Sequence, residues 1–527
     1  MMKGSETMRV YYHAHIYDNN ATAFVEDEGK IIFVGSDKEA LQYSQDVVDL
    51  NGKYVYPGFN DSHMHVVNYG KTLKNVMLTD YTSSLKEMLE ELKRHVKEGQ
   101  WLLGRGWNHD YFQDVHRFPT REDLDTISQD TPIVITRTCG HVCVANSKAI
   151  ELACINNQDI SGGSYDLESG MFKENATFLI YDAIPQPTIE DIKEYILLAQ
   201  KNLNSYGITS VHSDDFLSAT SNYKDALQAL EELSQENKLT IRIYEQSQFL
   251  HLDSLKEFIS NGYHTGIGNE YFKIGPLKML GDGALGARTA FLSKPYYDDP
   301  NTQGMAVYTQ EELKAMFDYA HTHDMQIAIH AIGDGILDWV LEAYKKILKD
   351  NPKDNHRHGV VHCQITREDQ LKKFENMHLH AYVQTLFLDY DNHIVSQRVD
   401  PQIAKTSYHF KTLYETTTLS NGSDCPVEEP IVLKGIQLAI TRTSMDGTGP
   451  YLPQQALTVK EAIDSYTKNG AYASFEENRK GQIKEGMYCD FVVLDQDILK
   501  TDIEHIKDIQ VLQTYIAGKK VYQREKK

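Results

Sequence analysis

Short apolar runs recur eight times along the middle of the chain, and most of them alternate with stretches of helical periodicity. Each run ends in a polar or glycine-containing segment. This alternation is typical of parallel strands joined by helices, and eight such units close a (β/α)₈ barrel. We therefore predict an α/β fold of the TIM-barrel type, with strands near Tyr54 to Phe59, Ile208 to His212, Ile241 to Glu245, Phe272 to Leu280, Gln326 to His330, Gly359 to His362, Ala381 to Gln384 and Thr416 to Ser420.

The two ends of the chain have the pattern of a small β domain. Strand-like runs separated by turn residues fill the N-terminal end, and the far C-terminus has a similar pattern with a hairpin at Ala517-Gly518. We predict a β-sandwich-like domain from residues 1–56 plus 480–527, and a barrel from 57–479. The gap after the first barrel strand is too long for a loop. Residues 66–205 are therefore predicted to form an inserted lid subdomain over the carboxyl end of the barrel, where barrel active sites lie.

Composition limits the partners of the chain. Its 527 residues include 53 lysines and arginines against 75 aspartates and glutamates, a net charge of -22. This charge repels nucleic acid and anionic membrane surfaces, so we expect neither as a partner. The six cysteines are scattered and no apolar run has the length of a signal or membrane segment. We expect a reduced, cytoplasmic protein with a small-molecule substrate, and a homodimer by analogy with other barrel enzymes.

A histidine pair closes the first predicted barrel strand, in the segment Pro57-Gly58-Phe59-Asn60-Asp61-Ser62-His63-Met64-His65. Two histidines at i and i+2 of an extended chain point to the same face, so both imidazoles can bind one ion. Such a pair is weak support for a metal site by itself, because a solvated surface pair has the same pattern. Its position at the end of a barrel strand favours the metal site.

Further polar residues follow later strands, and each has a simple structural explanation when it is taken alone. Together they place four histidines, one carboxylate and one lysine at the ends of the first, fourth, fifth, sixth and eighth strands. Chance placement would rarely produce this set. Imidazoles and a carboxylate suit zinc or a similar ion, whereas a lysine ammonium is no metal ligand. The residues are His63, His65, Lys278, His330, His362 and Asp424.

This set, in this strand order, resembles the amidohydrolase superfamily, and most closely its subgroup that includes N-substituted formamide deformylase. The subgroup pattern PGFxDSHxH matches Pro57 to His65, and the pattern GSDxPV matches Gly422 to Val427. A lysine-to-DG stretch matches Lys278 to Ala290, and HAIGD matches His330 to Asp334. Gly481 to Leu494 resembles the return of the family's chain into its β domain. The likeness therefore extends over nearly the whole sequence.

The resemblance implies hydrolysis of a C–N bond other than a peptide bond, with one or two divalent metal ions as cofactor and zinc as the expected metal. It implies that His63 and His65 hold one metal, and that His330 and His362 hold the other. Lys278, carboxylated by CO₂, would bridge the two ions as a carbamate. Asp424 would bind a metal, take a proton from the attacking water and deliver it to the leaving amine.

The predicted insertion and the loop after the fourth strand supply candidate substrate contacts. Segments around Trp107, Asn108 and His109, and around His141, resemble pocket-lining segments of the subgroup. Trp107 is predicted to stack on an apolar part of the substrate, and the two histidines to hydrogen-bond its carbonyl or the oxyanion. Arg288 is a candidate partner for an acidic substrate group. Packing of the lid, and anchoring of a loop by Arg288, explain the same residues without any substrate.

Other functions compete with this interpretation. Gly281 to Gly286 matches GxGxxG, the dinucleotide-binding pattern, but the following Pro295 leaves little room for a helix. An amidohydrolase-like barrel can also serve as a non-catalytic binding protein, although such relatives typically lose metal ligands. Within the superfamily, cyclic-amide hydrolases and aminohydrolases share the same metal chemistry. The sequence leaves these last alternatives open.

Overall fold

The structure is a computed structural model that describes residues 8–137, 142–155, 163–217, 220 and 222–525. His141, a predicted substrate contact, lies outside the described residues. Residues 69–195 form one compact unit, and the rest of the described chain forms the other. Among the described residues, no helix combines the length and the hydropathy needed to cross a membrane.

Eight parallel strands form one sheet in chain order, which confirms the predicted (β/α)₈ barrel. The first three strands are buried along their whole length, as expected of a parallel sheet covered on both faces. The loop after the last strand closes against the first strand. There the Asp424 N–H donates to the His63 carbonyl over 2.8 Å. The strands are β1 Phe59–Met64, β2 Ile208–Ser213, β3 Arg242–Gln248, β4 Phe272–Leu280, β5 Ile327–Ala331, β6 Gly359–His362, β7 His380–Val383 and β8 Thr418–Asn421.

Helices follow most barrel strands and pack their apolar faces on the sheet. Several begin at a capping box that the sequence supplies, such as Thr309 with Glu312. The longer helices are Val66–Leu73, Ile189–Ser205, Tyr223–Gln235, Leu252–Ser260, Gln310–Thr322, Asp334–Asp350, Glu368–Asn376, Phe410–Thr416, Val432–Thr441, Val459–Ser465 and Lys468–Ala473. Short helices are Asp37–Ala40, Leu388–Asp391, Val395–Arg398 and Pro401–Ala404, and 3-10 turns are Thr385–Phe387, Pro453–Gln455 and Ile503–Asp508.

The prediction of a barrel strand near Tyr54 to Phe59 is wrong for its first residues. The strand Val47–Pro57 pairs with terminal strands of another sheet, and β1 begins only at Phe59. Gly58 lies between the two strands, at a point where the backbone passes close to β2. A Cβ at this position would lie 2.2 Å from the Thr209 Oγ1 of β2. Only glycine allows so close a backbone approach. One apolar stretch thus serves two sheets, and periodicity alone does not show the change.

The terminal segments form a seven-stranded mixed sheet. The sheet curls enough for distant strands to touch: the Tyr11 ring lies 5.0 Å from the Phe491 ring and 5.5 Å from the Tyr515 ring. The Tyr11 hydroxyl also donates to the Gly518 carbonyl over 2.6 Å. This curled sheet is the predicted sandwich-like β domain. In spatial order its strands are Lys519–Gln523, Val511–Ile516, Phe491–Leu494, Val47–Pro57, Arg9–Ile16, Ala23–Asp27 and Lys30–Gly35.

The unit of residues 69–195 has a six-stranded sheet of its own. Apolar clusters lie on the sheet, one around Trp107 and Leu92, the other around Phe172 and Ile180. Its strands are Val76–Met77, Leu102–Trp107, Ile133–Arg137, Val142–Ala145, Gly163–Asp166 and Met171–Glu174. Its helices and 3-10 turns within these bounds are Thr79–Tyr81, Leu85–Arg94, His109–Tyr111, Arg121–Asp125, Ser147–Leu152, Asn175–Thr177 and Phe178–Tyr181.

A buried ion pair joins β3 to the segment that enters the terminal sheet. Arg242 Nε lies 2.6 Å from Asp490 Oδ2, and the two side chains are 2% and 5% exposed. Removing one member of such a pair leaves an uncompensated buried charge. Replacing Arg242 with leucine is therefore expected to destabilise the protein by about 3–5 kcal/mol, measured as lower urea and thermal midpoints. The exposed pair of Arg9 and Asp46 is the control: R9L is expected to cost about 1 kcal/mol or less. Equal losses in both variants would contradict the expectation.

Three histidines form a hydrogen-bonded chain at the amino ends of β5 and β6. His358 Nδ1 accepts from the Ile327 N–H, so its Nε2 carries the proton and donates to His321 Nδ1 over 2.8 Å. His321 Nε2 in turn donates to the Asn351 carbonyl. His356 Nδ1 accepts from the His358 N–H. Each of the three rings accepts a hydrogen bond at its Nδ1, so protonation of any ring breaks the bond at that atom.

From these hydrogen-bonded histidines we predict that the contribution of His356 to stability depends on pH. Burial lowers the pKa of His356 to about 4, below its value of about 6.5 in the unfolded chain. Between these values the unfolded state binds the extra proton, so the stabilising effect of His356 falls as pH falls from 6.5. The difference in unfolding free energy between the natural protein and H356N is expected to shrink by about 2 kcal/mol from pH 7 to pH 5. Urea unfolding at both pH values measures it, and a pH-independent difference would disprove it.

Candidate metal centre and active site

The six residues predicted to bind metal come together at the carboxyl end of the barrel. One ligand atom from each of His63, His362 and Asp424 lies within 4.8 Å of the others. The His330 ring lies 4.4 Å from the His362 ring, and the His63 and His65 rings are 5.3 Å apart. Parallel strands end at the same mouth of a barrel, which explains how residues hundreds of positions apart converge.

Hydrogen bonds determine which nitrogen of each histidine in the β1 pair is available. His63 Nδ1 donates to Gln246 Oε1 over 2.6 Å, and His65 Nδ1 donates to the Asp214 carbonyl over 2.7 Å. Both rings therefore direct Nε2 into the site. Each Nε2 points toward Asp424 Oδ1, at 3.4 Å from His63 and 3.0 Å from His65.

The later histidines are fixed in the same way but with different free atoms. His362 Nδ1 donates to Gln384 Oε1 over 2.7 Å, which leaves Nε2 free. His330 Nε2 donates to the Gly283 carbonyl over 2.9 Å, which leaves Nδ1 free. Each of the four imidazoles thus has one nitrogen committed to an acceptor of the protein and one available to a ligand.

Lys278 lies in β4 and forms a buried ion pair that sequence reasoning missed. Its Nζ lies 3.0 Å from Asp214 Oδ2, and both side chains are 1% exposed. The other oxygen of Asp214 has no hydrogen-bond partner among the described residues. Asp214 directly follows β2 and also provides the backbone carbonyl that orients His65. The aspartate therefore links Lys278 to the histidine pair.

The charges in the site favour an ionised carboxylate beside the imidazoles. Burial opposes ionisation of Asp424, but the hydrogen bond from His65 and the electrostatic influence of the neighbouring His63 and His362 rings lower its pKa overall. Burial likewise opposes protonation of His65, while Asp424 and Asp214 raise its pKa to about 9. A cation bound here would replace the proton on His65, which is the usual linkage between metal binding and pH.

The donor set fits a divalent metal of the first transition row. Such ions bind neutral imidazole nitrogens and carboxylate oxygens, and their histidine ligands normally donate the other ring N–H to an acceptor of the protein. All four histidines here satisfy that second condition. The site therefore has both the ligand atoms and the orienting hydrogen bonds that a metal centre needs.

Two buried aspartates hold the loops that carry these ligands. Asp61 accepts the Ser423 N–H and hydroxyl, at 3.0 and 2.6 Å, and so ties β1 to the loop of Asp424. Asp282 accepts the Ile332 and Gly333 N–H groups at 3.0 and 2.8 Å, which fixes the loop after His330. The aspartates thereby set the spacing of ligands from different strands.

Sequence reasoning assigned no site residue to β2, β3 or β7, and the structure places one at the end of each. They are Asp214, Gln246 and Gln384, and none is more than 2% exposed. Their position is the signal that was available: each is a polar residue at the carboxyl end of a barrel strand. Their partners, however, lie on other strands and are set only by the fold.

The predicted substrate contacts have well-defined surroundings of their own. Trp107 is fully buried, and the His109 ring stacks on the Phe118 ring at 3.8 Å. Asn108 accepts a hydrogen bond from Arg137 at 2.9 Å and caps the turn that begins at His109. Arg288 pairs with Asp298 at 2.8 Å, which agrees with an anchor for its loop. Contact of these side chains with a substrate stays a prediction.

Known proteins resemble this chain over nearly its whole length. A family model described as the amidohydrolase family matches residues 46–522. YtcJ of Bacillus subtilis, which is named as an amidohydrolase, is 31% identical over 96% of this chain and 97% of its own. The N-substituted formamide deformylase of Arthrobacter pascens is 24% identical over 96% and 95%. The solved structure of an uncharacterized metal-dependent hydrolase from Pyrococcus horikoshii superposes with a TM-score of 0.81, at 31% identity over 95% and 99%.

Proposed function

Because this chain belongs to the amidohydrolase family, we propose that it is a metal-dependent hydrolase of small molecules. The bond that it cleaves is the C–N bond of an amide such as a formamide. The observation that carries the proposal is a cluster of four oriented imidazoles at the barrel mouth, three of which, His63, His65 and His362, bring a ring nitrogen close to the ionised Asp424 carboxylate. The family match and the formamide deformylase among the relatives support the choice of bond.

The ligand set divides between two candidate ions. His63 and His65 would hold one divalent metal, and His330 and His362 the other, with zinc as the proposed metal. Lys278, once carboxylated by CO₂, would lie between them. When bound, the metal supplies a Lewis acid that polarises the substrate carbonyl and lowers the pKa of water toward neutrality.

The residues of the protein itself transfer the proton and orient the imidazoles. Asp424 is ionised, so it can accept the proton that the attacking water loses and then deliver it to the nitrogen of the leaving amine. The products are a carboxylic acid and an amine, and the aspartate returns to its starting state. Gln246, Gln384 and the Asp214 carbonyl keep the imidazoles oriented throughout.

Metal analysis combined with substrate screening tests the proposal. Protein expressed with added bicarbonate is expected to contain about two equivalents of metal per chain and to release amine from N-substituted formamides or N-acyl amines. Release of ammonia from a ring, or opening of a cyclic amide, would redirect the proposal to the related activities. Absence of bound metal, with no binding of added zinc, would overturn it and leave a binding protein.

A further inference from the structure

Two glutamines lie directly behind two of the histidines in the site. Gln246 is 0% exposed and Gln384 is 2% exposed. Their side-chain oxygens accept from His63 Nδ1 at 2.6 Å and from His362 Nδ1 at 2.7 Å. One ligand atom from each of these two histidines also lies within 4.8 Å of the other and of an Asp424 oxygen. Both histidines of this group are therefore backed by a neutral amide.

The orientation of each amide is fixed at its other end. The Nε2 of Gln246 donates to the Ser62 carbonyl at 3.3 Å, and the Nε2 of Gln384 donates to the Tyr382 carbonyl, also at 3.3 Å. Since a carbonyl can only accept, the NH₂ group must face it and the amide oxygen must face the imidazole. The oxygen can only accept, so the proton of each imidazole resides on Nδ1.

We infer that Gln246 and Gln384 are positioning residues that hold His63 and His362 in the tautomer whose Nε2 is free to bind metal. The inference rests on the proposed function, and it goes further by assigning the control of ligand tautomer and metal affinity to two specific amides. Buried carboxylates often perform this task in metal sites. A neutral amide orients the ring without adding a negative charge behind it, so the metal retains more of its own positive charge toward the substrate.

The same amides also connect strands, so a purely structural role has to be separated experimentally. Gln246 links β3 to β1, and Gln384 links β7 to β6. Loss of stability in a variant would therefore not discriminate. Metal affinity and the protonation pattern of the imidazoles do discriminate, because a purely structural role predicts no specific change in either.

The decisive experiment measures zinc affinity by competition with a chelator in three sets of variants. Q246L and Q384L remove the acceptor and are expected to weaken binding by about 10–100-fold. Q246E and Q384E keep an acceptor and are expected to bind at least as tightly as the natural protein. The control is Q200L, because Gln200 is a buried glutamine that, among the described residues, bonds only backbone groups of Lys238 and Thr240. It is expected to lower the melting temperature without changing zinc affinity.

Nitrogen chemical shifts in ¹⁵N-histidine-labelled, metal-free protein give a second readout that needs no stable leucine variant. His63 and His362 are expected to carry their proton on Nδ1, and protonation on Nε2 would overturn the inference. Wild-type zinc affinity in both leucine variants would overturn it as well, while leaving the proposed function intact. If the natural protein itself binds no zinc, the proposed function fails first and the inference falls with it.

Discussion

Replacing Asp424 with asparagine is expected to lower kcat by about 10²–10⁴-fold, the usual contribution of a positioned general acid–base group. The carboxylate lies 3.0 Å from His65 Nε2 and 3.4 Å from His63 Nε2, so it is the acidic group closest to the free ligand nitrogens. Asparagine keeps the size of the side chain but cannot accept a proton at neutral pH. Amine release from an N-substituted formamide, measured at saturating zinc, would show the loss.

The controls for this variant have to show whether the lower kcat arises from lost proton transfer, from a lost metal ligand or from the change in net charge. Zinc content of D424N reports whether the loss arises from a missing ligand. Asp400 pairs with the half-exposed Lys294, so D400N removes a comparable charge without touching the site. A D424N enzyme that keeps its metal and retains kcat within about a factor of two would remove Asp424 from the proposed role.

The sequence predicts the barrel because each strand is a local pattern. Eight apolar runs with polar ends are visible in the chain, and the structure has a strand at or beside every one. The first strand was misplaced because Val47–Pro57 and Phe59–Met64 are almost continuous, and only the tight contact of Gly58 with Thr209 separates the two sheets. A contact between residues 151 positions apart leaves no periodic signal.

The candidate ligands were predictable for a related reason, and their supporting residues were not. Three of the four histidines lie within motifs that can be read locally, and His362 ends one of the apolar strand runs. Gln246 acts on His63 from 183 positions away, and Asp214 acts on Lys278 from 64 positions away. These pairings depend on the order of strands around the barrel. The surroundings of the residues that would select a substrate, such as Trp107, depend on packing in the same way.

Replacing Lys278 with alanine is expected to lower the metal content from about two equivalents to about one and to abolish most amide hydrolysis, because the proposed bridging carbamate could no longer form. In the metal-free protein, where Lys278 is not carboxylated, the change also leaves Asp214 as a buried carboxylate without its cation, which is expected to cost about 3–5 kcal/mol of stability. The two effects can be separated, since D214N added to K278A removes the unpaired charge.

The double variant is expected to recover most of the lost stability while its metal content stays near one equivalent. Elemental analysis of each preparation measures the metal content, and thermal unfolding of the same protein after metal removal measures the stability. If K278A keeps two equivalents, Lys278 serves only as the cationic partner of Asp214, and the two ions must be held without a carbamate. If the double variant regains two equivalents, the loss in K278A arises from the unpaired aspartate rather than from a missing ligand. The bridging role therefore requires two results. The metal content must be lower in K278A, and it must stay lower in the double variant, where Asp214 is neutralised.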